Sequence, residues 1–192
     1  MESAEKDVHA ILDRSTIARS ISSLSASLVN ATKIGSNLWH LHDVFDNGDI
    51  STIISLVDKG SWWRKPVLQQ HLDRLELPFK MDSVTENLWE IFDSVRTQLN
   101  KNFNQTSVTI WRDGSNFKMP VHLDNDRVHA AIQIYLGDND GPGTTFYPGG
   151  NKFEVPYRIN TGYLMLNSDE MMHGVIAEKP HQGRLSIYAV YG

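Results

Sequence analysis

Residues 107–136 read SVTIWRDGSNFKMPVHLDNDRVHAAIQIYL, and the pattern of this stretch indicates the fold class most clearly. Polar and apolar residues alternate in Ser107–Arg112, and Val128–Leu136 is an apolar run rich in residues that favour strands. The cluster Asp113-Gly114-Ser115-Asn116 between them is typical of a turn. This part of the chain is therefore predicted to form β-strands joined by short loops.

The same pattern continues toward the C-terminus. Turn clusters lie at residues 137–143 and 148–151, and short segments with strand character flank them. Further strands are predicted at Met119–Leu123, Thr144–Tyr147, Gly162–Leu166 and Arg184–Tyr191. Many short strands separated by turns predict an all-β core.

The first half of the chain has helical periodicity instead. Ser83-Val84-Thr85-Glu86 matches a capping box, and the apolar spacing after it predicts a helix over about residues 84–100. Other helical patterns occur in residues 7–34, after Asn47-Gly48-Asp49, where Asp49 is the predicted N-cap, and near residues 66–75. Helices followed by strands predict an α+β protein that is mainly β with helical support.

Length and composition exclude several classes of protein. The 192 residues are divided into a helical and strand support segment at 1–104 and a β core at 105–192, within one integrated domain. The sequence has no cysteine, so disulfides, thiolate metal sites and cysteine nucleophiles are excluded. No apolar run is long enough to span a membrane, and the N-terminus lacks the pattern of a signal peptide, so a cytoplasmic location is expected.

Two His-x-Asp motifs stand in different contexts. His122-Leu123-Asp124 closes a predicted strand, and residues i and i+2 of a strand point to the same side, so both side chains can bind one metal ion. His71-Leu72-Asp73 lies in the helical pattern of residues 66–75, where the two side chains would point about 200° apart. The first motif is therefore predicted to bind metal, and the second to be structural or superficial.

Three further residues that could bind a metal ion or a co-substrate follow the first motif in the sequence. His173 comes 49 residues after Asp124, Arg184 comes 11 residues later, and Ser186 lies two positions beyond it on one predicted strand. Taken singly, such a histidine is more often structural and such an arginine more often solvated. Together, two histidines and one carboxylate leave open positions on iron, and an arginine beyond them can bind a co-substrate carboxylate.

In this order the residues resemble the iron(II)/2-oxoglutarate-dependent dioxygenases, whose motif is His-x-Asp, a distal His and a downstream Arg or Lys. Three stretches are similar to the prolyl-hydroxylase-like branch of that superfamily: Gly143-Thr144-Thr145-Phe146-Tyr147-Pro148, Asn160–Leu166 and Met172-His173-Gly174-Val175. The resemblance covers about residues 105–192. Collagen-type prolyl hydroxylases usually carry Lys at the position of Arg184, and the oxygen-sensing type carries Arg.

The resemblance implies a fold and a metal site. The fold would be a double-stranded β-helix, a cupin-like jelly roll, with the N-terminal helices packed on one sheet. His122, Asp124 and His173 would be the catalytic residues that bind Fe(II), and 2-oxoglutarate and O2 would be the co-substrates. The retained carboxylate of Asp124 favours hydroxylation over halogenation, because the halogenases of the family carry a small residue there.

The resemblance also implies a pocket for the co-substrate. Arg184 and Ser186 would bind the C5 carboxylate of 2-oxoglutarate. Tyr135 would line the same pocket, since alternation places Ala131, Gln133 and Tyr135 on one side of their strand. A core position is the alternative reading of Tyr135, and also of Trp111, which falls near another pocket-lining aromatic residue of the branch.

Several other residues are assigned structural roles. His129 and His181 lie beside turns, and the pair His40 and His42 has no apparent third ligand, so none of them is expected to bind metal. Trp62 and Trp63, together with the loops 113–118 and 137–143, either shape a substrate cleft or, for the tryptophans, cover the outer face of the barrel.

The predicted function is an oxygenase, most simply a hydroxylase of a peptidyl (for example prolyl) or small-molecule substrate. One alternative is a non-catalytic cupin-like metal-binding protein, but such a protein has no need of Arg184 and Ser186. Another is a nucleobase demethylase on the same scaffold. The net charge of −5 disfavours a nucleic-acid partner.

Overall fold

The computed structural model describes residues 12–59, 63–78, 83–104 and 106–192. The apolar pattern at Val8 and Ile11, and the residue Trp62, lie outside these ranges. No helix within them is both long and apolar enough to cross a membrane.

Four α-helices precede most of the strands. They are α1 (Arg14–Val29), α2 (Asn47–Asp58), α3 (Ser83–Ser94) and α4 (Arg96–Leu99), and two 3-10 turns lie at Val67–Gln69 and Pro148–Gly150. The strands are β1 (Thr32–Gly35), β2 (Leu38–Leu41), β3 (Arg74–Leu77), β4 (Thr106–Asp113), β5 (Met119–His122), β6 (Ala130–Tyr135), β7 (Thr144–Phe146), β8 (Phe153–Val155), β9 (Gly162–Leu166), β10 (His173–Val175) and β11 (Arg184–Tyr191).

The strands form two sheets, and neighbouring strands within each sheet are all antiparallel. The larger sheet has the order β1-β2-β9-β6-β11-β4-β3, and the smaller has the order β5-β10-β7-β8. The predicted combination of a β core with helical support is confirmed. The strands predicted by alternation correspond to β4, β5, β6, β7, β9 and β11.

The larger sheet separates two apolar layers. Strand β6 shows how alternation divides them: Ala130, Ile132 and Ile134 pack among the residues of α1, α2 and α3, whereas Ala131 and Tyr135 pack among residues that include Phe146 of the smaller sheet. The helices therefore cover one face of the larger sheet, and the smaller sheet lies over the other. Polar groups buried between the two sheets need partners inside the protein.

The first half of the chain is part of the larger sheet. Strands β1, β2 and β3 all belong to it, and β3 pairs with β4 over its whole length. The boundary between residues 104 and 105 and the single integrated domain both stay predictions.

Two local predictions were wrong. The N-cap of α2 is Asp46, whose carboxylate accepts a hydrogen bond from the Gly48 N–H, while Asp49 is buried and pairs with Arg19 at 2.8 Å. The segment predicted as a helix near residues 66–75 is one 3-10 turn followed by β3. Pairing with the long strand β4 stabilises the extended conformation there, and local helical spacing does not compensate for it.

Candidate metal centre and its adjoining cavity

His122, Asp124 and His173 lie together in the structure. Strands β5 and β10 are neighbours, His122 and His173 are directly opposite each other, and Asp124 follows β5 by two residues. One ligand atom from each residue lies within 4.8 Å of the others. The Oδ1 atom of Asp124 is 3.8 Å from Nε2 of His122 and 3.9 Å from Nε2 of His173.

Both imidazole rings are oriented by the backbone. Nδ1 of His122 is 2.9 Å from the Pro120 carbonyl oxygen, and Nδ1 of His173 is 3.2 Å from the Met171 carbonyl oxygen. A carbonyl oxygen can only accept, so Nδ1 is the donor in both rings, and in the neutral form of each ring Nε2 has the free lone pair. This is the tautomer that a metal-binding histidine needs, with the second nitrogen fixing the ring.

Burial favours the neutral form of His173. Desolvation lowers the pKa of His173, and the nearby Asp124 carboxylate only partly opposes that effect. Its ring also stacks on Phe146 at a centroid distance of 5.6 Å. Two neutral imidazole nitrogens and one carboxylate oxygen fit a divalent transition metal such as Fe(II). The described residues contain no other cluster of three such side chains within this distance.

A cavity of about 160 Å³ extends from this centre between the sheets. Its wall includes His122, Asp124 and His173 and also Arg184. A second, more open depression of about 510 Å³ also reaches Asp124. Asp124 thus lines both cavities, whereas His122 and His173 line only the smaller one.

The register of the larger sheet explains which side chains meet in the cavity, because residues directly opposite each other in antiparallel strands share a face. Three rows of opposed residues cross neighbouring strands: Arg74, Asp113 and Arg184 in the first, Trp111, Ser186 and Tyr135 in the second, and Tyr188, Gln133 and Tyr163 in the third. Arg184, Ser186 and Tyr188 occupy alternate positions of β11, and each of them belongs to one row.

Arg184 is a buried cation with free donors. Its side chain is 0% exposed, and its Nε and Nη1 atoms have no hydrogen-bond partner among the described residues. Nη2 lies 3.5 Å from Oγ1 of Thr144, and Nε lies 3.9 Å from Oδ2 of Asp113. Buried unpaired donors are costly, so this group is suited to an anionic ligand in the cavity.

Ser186 and Tyr135 lie behind the cavity wall. The Ser186 hydroxyl accepts a hydrogen bond from Nε2 of Gln133 at 2.8 Å, and Oε1 of Gln133 accepts one from the Tyr163 hydroxyl at 2.8 Å. The Tyr135 hydroxyl shares a 2.7 Å hydrogen bond with Oγ1 of Thr144. Their hydrogen-bond partners Gln133 and Thr144, by contrast, line the cavity. Direct contact of Ser186 or Tyr135 with a ligand stays a prediction.

The remaining predicted positions divide between wall and scaffold. Trp111 lines the cavity, whereas Trp63 packs on the helical side beside the guanidinium of Arg112. Both ring nitrogens of His181 bond to backbone groups, Nε2 to the Phe117 carbonyl and Nδ1 to the Gly183 N–H. The rings of His40 and His42 lie 3.9 Å apart, away from the candidate centre.

The second His-x-Asp motif is superficial. His71 and Asp73 are exposed, and one carboxylate oxygen of Asp73 accepts a hydrogen bond from the Asn116 N–H at 3.0 Å. The segment is a turn before β3 rather than the predicted helix.

Sequence reasoning missed several residues of the wall. Tyr188 and Thr144 had a signal, because each lies on a predicted strand, and Tyr188 alternates with Arg184 and Ser186. Tyr163 likewise lies on a predicted strand, opposite Gln133. Arg74 had none, because its strand was predicted to be a helix.

Comparison with solved structures identifies the fold as that of the 2-oxoglutarate/Fe(II) oxygenases. A prolyl hydroxylase from Trichoplax adhaerens, solved with a hypoxia inducible factor oxygen degradation domain peptide fragment, matches 95% of this chain and 94% of its own, with a TM-score of 0.68 and 14% identity. A Pseudomonas putida prolyl-4-hydroxylase matches 89% of this chain and 98% of its own, with a TM-score of 0.66 and 14% identity.

A third solved structure broadens the range of ligands. HygX from Streptomyces hygroscopicus, solved with nickel, 2-oxoglutarate and hygromycin B bound, matches 94% of this chain and 87% of its own, with a TM-score of 0.63 and 12% identity. No family model matches the chain, and no curated protein matches it. At these identities the likeness establishes the fold.

Proposed function

We propose that this protein is an Fe(II)- and 2-oxoglutarate-dependent oxygenase whose two sheets form a double-stranded β-helix. The observation that carries the proposal is that a metal-ready triad and a buried arginine line the same small cavity, and that Nε and Nη1 of this arginine have no hydrogen-bond partner among the described residues. A protein that only bound metal would have no use for the buried cation. The shared fold supports the same conclusion.

The three residues of the candidate centre would bind the metal ion. Nε2 of His122, Nε2 of His173 and a carboxylate oxygen of Asp124 would hold the iron, and the backbone carbonyls of Pro120 and Met171 keep the rings in place. Bound iron would supply the oxygen activation that couples decarboxylation of 2-oxoglutarate to oxidation of a C–H bond.

The far side of the cavity would hold the co-substrate. Nε and Nη1 of Arg184 would donate to the distal carboxylate of 2-oxoglutarate, a charge-assisted contact in a site with little water. The aromatic wall of Trp111, Tyr163 and Tyr188 would exclude bulk solvent and hold the reacting groups in one orientation.

We propose hydroxylation of a peptidyl (for example prolyl) or small-molecule substrate. The relative from Trichoplax adhaerens was solved with a peptide and HygX with hygromycin B, and both kinds of ligand are consistent with the open depression beside Asp124.

An anaerobic titration tests the proposal. Fe(II) and 2-oxoglutarate added without oxygen are expected to give a visible charge-transfer band in the wild type, and admission of oxygen is expected to release succinate. His173→Ala is expected to abolish the band. His71→Ala, in the superficial copy of the motif, is the matched control and should keep it. A wild type without the band would refute the function, and a band in His173→Ala would refute the ligand assignment.

A further inference from the structure

Two buried arginines of the cavity wall lie on either side of one buried carboxylate. Arg74, Asp113 and Arg184 are directly opposite one another across β3, β4 and β11. Their side chains are 2%, 0% and 0% exposed. The row therefore places two positive charges and one negative charge out of reach of water, which leaves one positive charge uncompensated within it.

The carboxylate is bound unequally by its two neighbours. Arg74 holds Asp113 with two hydrogen bonds, Nε to Oδ1 at 2.5 Å and Nη2 to Oδ2 at 3.1 Å. The Nε atom of Arg184 is 3.9 Å from Oδ2, which is too far for a hydrogen bond. The Asp113 carboxylate is thus hydrogen-bonded to Arg74 and not to Arg184.

The position of Arg74 is itself fixed on several sides. Its guanidinium carbon lies 3.8 Å from the Trp111 ring centroid and 4.2 Å from that of Phe117. Its Nη1 donates to Oε1 of Gln69 at 3.3 Å. Planar stacking and a two-point bond to a carboxylate are properties of arginine that lysine does not share.

We propose that Arg74 is a positioning residue that holds Asp113 away from Arg184, and so keeps the donors of Arg184 free for the distal carboxylate of a dicarboxylic co-substrate. Without Arg74, the Asp113 carboxylate would be a buried unpaired charge, and Arg184 is the nearest cation of its row. A shift of about 1 Å would bring the two into hydrogen-bond distance. The donors of Arg184 would then be satisfied internally. This inference rests on the proposed function.

Calorimetric titration of 2-oxoglutarate into the Mn(II)-loaded full chain tests the role without turnover. Arg74→Met is expected to weaken 2-oxoglutarate binding by about tenfold to a hundredfold, since a charge-assisted contact of Arg184 is lost. Adding Asp113→Asn to Arg74→Met removes the competing charge and is expected to restore most of the affinity. A merely structural role of Arg74 would give no such rescue.

Two controls separate the distal carboxylate from other effects. Oxalate can bind the metal but has no distal carboxylate, so its affinity should be the same in all variants. Arg112→Met removes an arginine that packs beside Trp63 on the helical side of the sheet, and it should leave the affinity for 2-oxoglutarate unchanged. Thermal melts monitor folding. If Arg74→Met does not fold, Arg74→Lys replaces it, with an expected several-fold loss that Asp113→Asn reverses.

The outcomes are distinguishable. A wild type that does not bind 2-oxoglutarate would overturn the proposed function itself. A wild type that binds it, with Arg74→Met or its lysine replacement binding equally well, would overturn only the role of Arg74. A loss that Asp113→Asn does not reverse would also overturn that role, because Arg74 would then act by another route.

Discussion

The two carboxylate oxygens of Asp124 have different partners. Oδ1 faces both histidine Nε2 atoms, whereas Oδ2 lies 3.4 Å from the hydroxyl of Tyr188. Burial raises the pKa of Tyr188 well above its ordinary value, and the nearby Asp124 raises it further, so the phenol remains a donor at neutral pH. Its ring stacks on Trp111 at 4.2 Å. Tyr188 therefore turns one oxygen of Asp124 away from the candidate metal position.

Removing this hydroxyl should loosen the metal centre without dismantling it. Tyr188→Phe keeps the ring stack and is expected to weaken Mn(II) binding by about tenfold, a typical effect for a group that orients a ligand. Calorimetric titration with Mn(II) measures it. Tyr191→Phe on the same strand is the control, because that hydroxyl donates to the Phe92 carbonyl on the helical side. Equal affinity in Tyr188→Phe and wild type would contradict the orienting role.

His40 gives the protein a predicted acid sensitivity away from the candidate site. Burial lowers the pKa of His40 from 6.5 to about 4, and the neighbouring His42 contributes in the same direction. The unfolded chain therefore binds a proton first as the pH falls. The stability associated with neutral His40 is present above pH 6.5 and is lost as the pH falls from about 6.5 to about 4.

His40→Phe should flatten this part of the pH profile. The side chain is only partly buried, so the expected effect is modest. As the pH falls from about 6.5 to about 4, the free energy of unfolding of His40→Phe should decrease by about 1 kcal/mol less than that of the wild type. Urea denaturation at several pH values measures the difference. Comparison at pH 8, above both pKa values, fixes the pH-independent effect of the substitution. Parallel profiles for the two proteins would contradict the assignment.

Strand pairing at Gly162 shows how an element positions the cavity wall. A Cβ atom at this position would lie 1.9 Å from the Gln133 carbonyl oxygen, so only glycine allows β9 to approach β6 here. The pairing of these strands places Tyr163 beside Gln133, and both line the cavity. A close backbone approach is thus required for the wall.

Gly162→Ala is expected to destabilise the fold by about 1–3 kcal/mol or more, because the new methyl group meets backbone rather than a movable side chain. Chemical denaturation measures the change. Gly48→Ala in α2 is the control, since its nearest neighbour would be a side-chain oxygen at 3.4 Å and alanine favours a helix. It should be neutral or slightly stabilising. A loss no larger in Gly162→Ala than in Gly48→Ala would contradict the close-approach argument.

Sequence analysis predicted most clearly the long elements, in which the hydrophobic pattern of a strand or helix repeats several times. β4 and β11 have eight residues each and clear alternation, and the long helical pattern found α3, although the structure ends it at Ser94 before the short α4. β8 and β10 have three residues each, too few for a period to emerge, whereas the equally short β7 was predicted because turn clusters flank it on both sides. These short strands are defined by their neighbours in the sheet.

At the scale of the whole molecule, the site depends on both halves of the chain. The ordered motif of His122, Asp124, His173 and Arg184 could be predicted because its spacing lies within the β core. Arg74 could not, because it enters the cavity only when β3 pairs with β4, a contact between residues 39 positions apart in sequence. Long-range pairing of this kind leaves no local pattern.

The same integration predicts that the β core cannot fold alone. A fragment of residues 105–192 would lack β2 and β3 and would expose the face of the larger sheet that the helices cover, with Val108, Ile110, Ile132 and Ile187 all 0% exposed in the full chain. Such a face is an aggregation hazard, and its burial is the main stabilising term of the fold. We expect the fragment to be insoluble or to show no cooperative melt by circular dichroism, and to bind no Mn(II).

The full chain should melt in one transition with coincident circular dichroism and tryptophan fluorescence. A soluble fragment that melts cooperatively and binds Mn(II) would instead make residues 1–104 a separable support.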